Sequence, residues 1–293
     1  MHCPFQLVDV FHEGPLSGNP LAVVQPTRAL STAAMQQLTR WLNFSETAFL
    51  LSPTCPEADY RVRIFTLDRE MPFAGHPTLG TCHVWWQQAG RTNVPLQVVQ
   101  ECGIGLVTLR RELDSWAFEA PPLIKSGPVD ESHLQQIAQF LNIDCSRILD
   151  AQWADNGPGW VVARMGSAQE VLALIPEAHS SDRVDLGVVG PYPAGHPAAF
   201  ELRAFFNDSN GHIHEDPVTG SLHASTAQWL LGSGLAQAPY MASQGTQRGR
   251  QGRVFISQDD SGSVWVGGQT TTYFEGLAHL PDSFEPGYTS HEN

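Results

Sequence analysis

Short runs in which apolar and polar residues alternate, or β-branched residues cluster, recur along the whole chain with turn residues between them. They predict strands at Phe5–Phe11, Leu21–Val24, Thr47–Leu51, Tyr60–Thr66, Leu96–Val99, Leu106–Arg110 and Trp116–Phe118. A second set follows at Ile148–Trp153, Trp160–Ala163, Val184–Val189, Ala199–Phe206, Arg253–Ile256 and Val264–Gly267. Helical periodicity is rarer. Leu134, Ile137, Ala138 and Leu141 fall on one helical face, and Ser167-Ala-Gln-Glu170 is a capping box opening a short helix through Leu174. Ser31 is placed to cap a helix carrying Met35, Leu38 and Leu42. Two more helices are expected after proline motifs, with His76 and Asp216 as N-caps, Pro77 and Pro217 in the first helical position, and Gly90 and Gly232 as stops.

Those two motifs look like one pattern written twice, 140 residues apart. Aligned without a gap, Arg63/Arg203, Phe65/Phe205, Asp68/Asp208, Pro77/Pro217, Gly80/Gly220 and His83/His223 coincide, and Thr81 faces Ser221 as a second hydroxyl. A repeated strand–loop–helix unit implies two similar halves, with a boundary near Ala120-Pro-Pro-Leu123. The expected domains are 1–119 and 120–293, with a strand near 270–280 that can return to the first. The polar, turn-rich Pro281–Asn293 reads as a frayed end.

Composition narrows the function. At 293 residues the chain is near the size where a single core divides, and 42% hydrophobic with 16% charged residues is ordinary for a globular protein. The net charge of −14 argues against a phosphate backbone as partner, and no apolar run approaches membrane-spanning length. The five scattered cysteines form no C-x-x-C pair, and Met1-His-Cys-Pro-Phe5 leads directly into a strand pattern with no signal-peptide signature. A cytoplasmic protein with reduced thiols is the expectation.

The first N–H groups of a helix lack internal partners and carry the positive end of its dipole. Two such ends converging on one cleft would receive a carboxylate or an enolate oxygen, with glycines allowing close approach and Thr81 and Ser221 adding donors. The dipole would keep His76 neutral and Asp216 ionised. Read alone, each motif is equally a plain helix cap; repetition around two different ionisable residues favours a site. Glu46, in Ser45-Glu46-Thr47-Ala48-Phe49, stands before an apolar strand where burial would raise its pKa.

These residues also carry a resemblance. Asp9-Val-Phe11, Ser17-Gly-Asn19-Pro20-Leu-Ala-Val-Val24, Ser45-Glu46-Thr-Ala-Phe49, Arg63-Ile-Phe-Thr66, Glu70-Met-Pro-Phe-Ala-Gly-His76-Pro77 and Glu215-Asp216-Pro-Val-Thr-Gly220-Ser221 resemble the phenazine-biosynthesis isomerase (PhzF-like) family. Asn156-Gly157-Pro158 and Gln244-Gly245 match more loosely. The resemblance implies an α+β fold like that of diaminopimelate epimerase: two similar domains, each a mixed sheet rolled around a central helix, with the active site in the interdomain cleft. It implies a cofactor-free, metal-free isomerase of a small carboxylate-bearing substrate, and a homodimer. Glu46 would be the acid/base. His76 and Asp216 would hold the substrate, and Ser221, with the backbone amides at Gly75 and Gly220, would bind a carboxylate.

The chain departs from the family pattern at Leu67, where a proline is usual, and at Leu222-His223, where small residues are expected; these bulkier side chains are expected to narrow the anion site. Pro191-Tyr-Pro-Ala-Gly-His-Pro197 has no counterpart. An epimerase or racemase on the same fold would need thiols at both helix starts, which read Ala74-Gly75-His76 and Glu215-Asp216. His212-x-His214-x-Asp216 is read as a polar turn rather than a metal site. A non-catalytic binder of small anions stays open.

Overall fold

The computed structural model describes residues 1–88, 96–112, 114–208 and 210–281. The alternating runs form strands as their period demands, and the chain folds as two halves of the same element order. The first contains β1 (His2–Val10), β2 (Asn19–Val24), α1 (Thr32–Leu42), β3 (Glu46–Leu51), β4 (Tyr60–Thr66), β5 (Glu70–Met71), α2 (Gly75–Gln88), β6 (Gln97–Cys102), β7 (Gly105–Glu112) and β8 (Ser115–Glu119). After β9 (Lys125–Pro128) and α3 (Glu131–Phe140) the order repeats. It runs β10 (Asp150–Asp155), β11 (Val161–Arg164), α4 (Ala168–Leu172), β12 (Asp185–Pro191), β13 (Phe200–Asn207), β14 (Ile213–Asp216), α5 (Gly220–Gly232), β15 (Tyr240–Gln244), β16 (Gly252–Gln258), β17 (Val264–Gly268) and β18 (Thr270–His279).

These eighteen strands make one continuous mixed sheet among the described residues. From one edge the pairings run β18-β1-β2-β3-β4-β6-β7-β8, and from the other β9-β10-β11-β12-β13-β15-β16-β17. The halves join where β8 meets β17. Each edge strand crosses to the half opposite the strand before it: β9 follows β8 and pairs with β10, and β18 follows β17 and pairs with β1. In both halves the second and third strands, and the fourth and sixth, run parallel.

Each half is rolled around one helix. Gly75 through Cys82 of α2 and Gly220 through Ala227 of α5 are buried, as expected for helices without a polar face. Leu79, Cys82 and Val84 of α2 pack with Val8, Val10, Leu21 and Ile64; Leu222 and Leu230 of α5 pack with Val162, Val189, Leu202 and Ala204. The amphipathic α1 and α3 cover outer faces instead, α1 with Met35 and Leu38 on Phe49 and Phe65, α3 with Ile137 and Phe140 on Phe205.

The structure corrects the register of the repeat. Arg63 and Arg203 are equivalent at the predicted spacing, but the hairpin between strand and helix is five residues longer in the second half. Ile64 pairs with Met71 where Ala204 pairs with Asp216, so Met71 is the counterpart of Asp216. Carried on, Pro72 matches Pro217, Gly75 matches Gly220, and His76 matches Ser221. The ungapped alignment therefore set Pro77 and Gly80 against the wrong partners. Gly80 lies in the sixth position of α2, where a Cβ would come 2.5 Å from Leu21 Cδ2, and Thr81 is fully buried.

Neither predicted N-cap is one. His76 is inside α2, Asp216 ends β14, and the cap of α5 is Thr219. The tract 213–216 is a strand paired with β13 rather than a turn. Gly232 ends α5 as expected. The Gly90 stop and the end from 282 onward lie outside the described residues.

Candidate active site

The two central helices meet end to end at their N-termini. A Cβ on Gly75 would come 2.6 Å from Gly220 Cα and 2.9 Å from the Ser221 nitrogen; one on Gly220 would come 2.8 Å from Gly75 Cα. Real side chains do not tolerate such approaches, so both positions require glycine and the unpaired N–H groups of both helices share one locus.

Matched devices in the two halves aim side chains at this locus. The buried Asp9 carboxylate accepts the Ser17 and Gly18 N–H groups at 3.0 Å, folding the β1–β2 turn so that Asn19 points inward. The equivalent Asp155 accepts the Gly157 and Gly159 N–H groups at 2.7 and 2.8 Å, shaping the turn that carries Asn156 and Trp160. Arg63 grips Glu70 through Nε and Nη2 at 2.7 and 2.5 Å; Arg203 grips Glu215 likewise at 2.8 and 2.9 Å, fixing each return strand just before its helix.

Glu46, His76 and Asp216 are brought together. Glu46 opens β3 with its side chain on the inner face, 15% exposed, and Oε2 lies 3.4 Å from His76 Nδ1. No hydrogen bond reaches that oxygen. Asn19 ties the group together: its Nδ2 lies 3.5 Å from His76 Nδ1 and donates to Asp216 Oδ1 at 3.1 Å and to the Val218 carbonyl at 2.9 Å. The Thr219 hydroxyl donates to Asp216 Oδ2 at 2.6 Å, so the cap residue of α5 serves the carboxylate rather than its own helix.

Burial sets the charges here. It raises Glu46 well above the ordinary glutamate range, and the Asp216 charge adds to the effect. It raises Asp216 to about 6, against the pull of hydrogen bonds from Thr219, Ser45 and Asn19. It lowers His76 to about 3, so that imidazole is neutral. The sequence expectation of a neutral His76 agrees, although desolvation is the leading cause. For Asp216 loss of water outweighs the helix end and raises the pKa, but at about 6 the expected ionised form still holds at neutral pH.

Ser221 lies on the far side of the glycine contact. Its Oγ accepts the Trp160 indole N–H at 3.0 Å and its carbonyl accepts Asn156 Nδ2 at 2.9 Å. Among the described residues four buried atoms around the locus have no hydrogen-bond partner: Glu46 Oε2, His76 Nε2, Asn19 Oδ1 and Asn156 Oδ1. Unpaired buried polar atoms are costly, and several beside paired helix ends are what a site awaiting a polar ligand has to offer.

Several contributors carried no assigned role in the sequence: Asn19, Thr219, Gln244, Trp160 and Asn156. Gln244 donates to the Asp216 carbonyl and Thr219 Oγ1 at 3.1 and 2.9 Å, and accepts from Thr219 N and His223 Nε2, both at 2.9 Å. Asn19 and Thr219 lay inside matched motif segments, Gln244 and Asn156 in the loosely matched pairs, and Trp160 in neither. The bulk at Leu222-His223 does not narrow the anion site. Leu222 is buried against Gly187, where a Cβ would come 2.3 Å from its Cδ1, and His223 props Gln244. His212 and His214 both face Asp208, at 3.5 and 3.3 Å, away from the buried Asp216 network.

A family model described as "Phenazine biosynthesis-like protein" matches residues 8–276. The chain belongs to the phenazine biosynthesis-like (PhzF) family. It is 33% identical to Antisense-enhancing sequence 1 of Schizosaccharomyces pombe, over 94% of this chain and 98% of that one. It is 30% identical to the trans-2,3-dihydro-3-hydroxyanthranilate isomerase of Pseudomonas aeruginosa, over 94% and 99%. A solved structure described as a predicted epimerase from Pseudomonas aeruginosa superposes with a TM-score of 0.79 at 25% identity, covering 95% of this chain and all of the other. The protein is thus an enzyme of the isomerase and epimerase type, with the α+β fold that the resemblance implied. Among the described residues no helix is long and apolar enough to cross a membrane.

Proposed function

We propose that this PhzF-family protein is a cofactor-independent isomerase that moves a proton between carbons of a small carboxylate-bearing substrate, as in an enol-to-keto shift. The observation that carries the reading is the buried Glu46 carboxyl beside neutral His76, with an oxygen that accepts no hydrogen bond among the described residues. Desolvation raises its proton affinity well above that of an ordinary glutamate, which favours a group that must take a proton and return it. His76 Nε2 and the Asp216 carboxylate orient the substrate. Ser221 and the amides at Gly75 and Gly220 receive its carboxylate and the negative charge that develops as the proton leaves.

An epimerase reading is less well supported. The paired helix starts carry Gly75-His76 and Gly220-Ser221, and Cys82 is buried two turns into α2, with its thiol pushed up by burial. Glu46 combines burial with an oxygen that accepts no hydrogen bond among the described residues, whereas both oxygens of Asp216 are engaged by Asn19 and Thr219. The homodimer that the resemblance implies, and the cytoplasmic location expected from the cysteine pattern, belong to this proposal and are open to sedimentation and cell fractionation.

The test is a panel of hydroxy- and amino-cyclohexadiene carboxylates incubated with the protein in deuterated water. Isomerised product carrying deuterium at the carbon that gains the proton is expected. A ligand that protects the protein thermally while its carbon-bound hydrogens never exchange would make the site a binding site alone.

A further inference from the structure

We propose that Trp160 is a positioning residue: its indole N–H fixes the direction of the Ser221 hydroxyl and makes that hydroxyl a donor toward a bound carboxylate. The inference rests on the reading of Ser221 as part of the carboxylate site. A serine hydroxyl has one proton and two lone pairs, whereas an indole N–H can only donate. With Trp160 Nε1 at 3.0 Å from Ser221 Oγ, one lone pair is occupied and the hydroxyl proton has to point elsewhere. Among the described residues it finds no acceptor, whereas Ser225, one turn further along α5, gives its hydroxyl to the Leu222 carbonyl at 3.2 Å. Asn156 holds the Ser221 peptide through its carbonyl, so rotation of the hydroxyl is the freedom that remains, and the indole restricts it by occupying one lone-pair direction.

Packing alone does not account for tryptophan at this place. In the first half the matching position of β2 is Leu21, also fully buried and set against the central helix of its own half. An aliphatic side chain therefore satisfies this point of the fold. At the matching position of the central helix the halves differ, His76 in one and Ser221 in the other. The indole is found on the side where a hydroxyl needs orienting. Trp160 is 4% exposed, so water does not compete for its N–H. The turn held by Asp155 carries Asn156 and Trp160 together, which couples the carbonyl clamp to the hydroxyl clamp.

Titration of the full-length protein with benzoate and with benzamide, read by NMR, tests this. Ser221→Ala should weaken benzoate and leave benzamide nearly unchanged. Trp160→Phe, which keeps the ring and removes the N–H, should weaken benzoate by about threefold to tenfold, the size of one hydrogen bond, again sparing benzamide. The double variant should bind benzoate as Ser221→Ala alone does. If Trp160→Phe folds poorly by circular dichroism, incorporation of 3-benzothienylalanine at 160, with sulfur in place of the N–H, gives the same comparison in an unaltered shape. Equal losses for benzoate and benzamide, no loss at all, or an undiminished loss on the Ser221→Ala background would overturn the positioning role. Unchanged benzoate affinity in Ser221→Ala itself would instead remove the carboxylate reading of Ser221 on which it stands.

Discussion

The two helix starts of this protein share a frame and differ in chemistry. Asp9 and Asp155 fold matching turns, Arg63–Glu70 and Arg203–Glu215 fix matching hairpins, and Gly75 and Gly220 touch at the centre. Around that frame the equivalent positions diverge: Glu46 against Asp185, His76 against Ser221, Met71 against Asp216, Leu21 against Trp160. The strand registers establish Glu46/Asp185 and Met71/Asp216, and the other two pairs follow by counting on from them. Duplication supplied two convergent helix ends, a receptor for negative charge that neither half makes alone. Around them the equivalence is broken: one side carries Glu46, the proton carrier of the proposed function, and the other the Ser221 hydroxyl. Asp216 crosses from the second half to complete the group around Glu46, so the acid–base set is shared between the halves.

The sharpest way to break the comparison is to remove the proton carrier. Glu46→Gln keeps size and hydrogen-bonding capacity but cannot carry the proton, and turnover should fall by about 10²–10⁴-fold with the melting temperature little changed. Steady-state rates within a few-fold of the parent would remove Glu46 from its role.

The twin ion pairs give the next largest effect, and an unequal one. Arg203 is 7% exposed and also donates to the Val171 and Leu174 carbonyls at 3.2 and 2.8 Å; Arg63 is 19% exposed and its partner Glu70 is 37% exposed. Arg203→Met should cost about 3–5 kcal/mol in urea unfolding, because it strands Glu215 and two carbonyls in the interior. Arg63→Met should cost about 1 kcal/mol or less. Equal costs would show that the frame is loaded evenly.

Asp216→Asn sharpens the comparison through pH. The folded-state pKa is raised by burial from 3.8 to about 6, so ionisation opposes folding. The penalty is absent below about pH 4, grows as pH climbs toward 6, and is complete above it. Relative to the parent, Asp216→Asn should therefore gain stability between pH 4 and pH 7, by up to about 3 kcal/mol. His76 acts oppositely, since its pKa is lowered and its neutral form favoured, so stability is lost as pH falls from 6.5 toward about 3. That contribution is common to both proteins and drops out of their difference. A difference that does not vary with pH would mean that Asp216 is not desolvated as described.

Much of this frame was legible in the chain, and the failures have particular causes. Strands of strict alternation were visible because a half-buried sheet imposes a period of two. The short β5 and β14 were not, since two to four residues carry no period, and missing β14 produced the false N-cap at Asp216 and the displaced register of the repeat. Glu46, His76, Asp216 and Ser221 were found through motif and resemblance. Asn19, Gln244 and Trp160 gained roles only from contacts across 197, 28 and 61 positions, which local reading does not see. The bulk of Leu222 misled because side-chain direction, set by the half-turn of α5 that faces Gly187, does not appear in a string of residue types.

The smallest expected effect completes the comparison. Asp185 occupies the place in β12 that Glu46 occupies in β3, on the same inner face as Gly187 and just beyond the start of α5. On symmetry alone it is where a second proton carrier would stand if the enzyme worked from both sides. Burial raises its pKa too, yet it is held by Arg183, with Nε and Nη2 at 2.5 and 2.7 Å from its oxygens. A carboxylate engaged on both oxygens by a guanidinium has little capacity to exchange protons with a substrate. Because the Arg183 side chain is 54% exposed, water can solvate it once its partner is neutral. Asp185→Asn should therefore leave kcat/KM within about fivefold of the parent, the scale of a half-exposed ion pair. A loss as large as that of Glu46→Gln would mean that both sides of the frame transfer protons, and the enzyme would have to be reassigned from one-carrier isomerisation to two-base epimerisation.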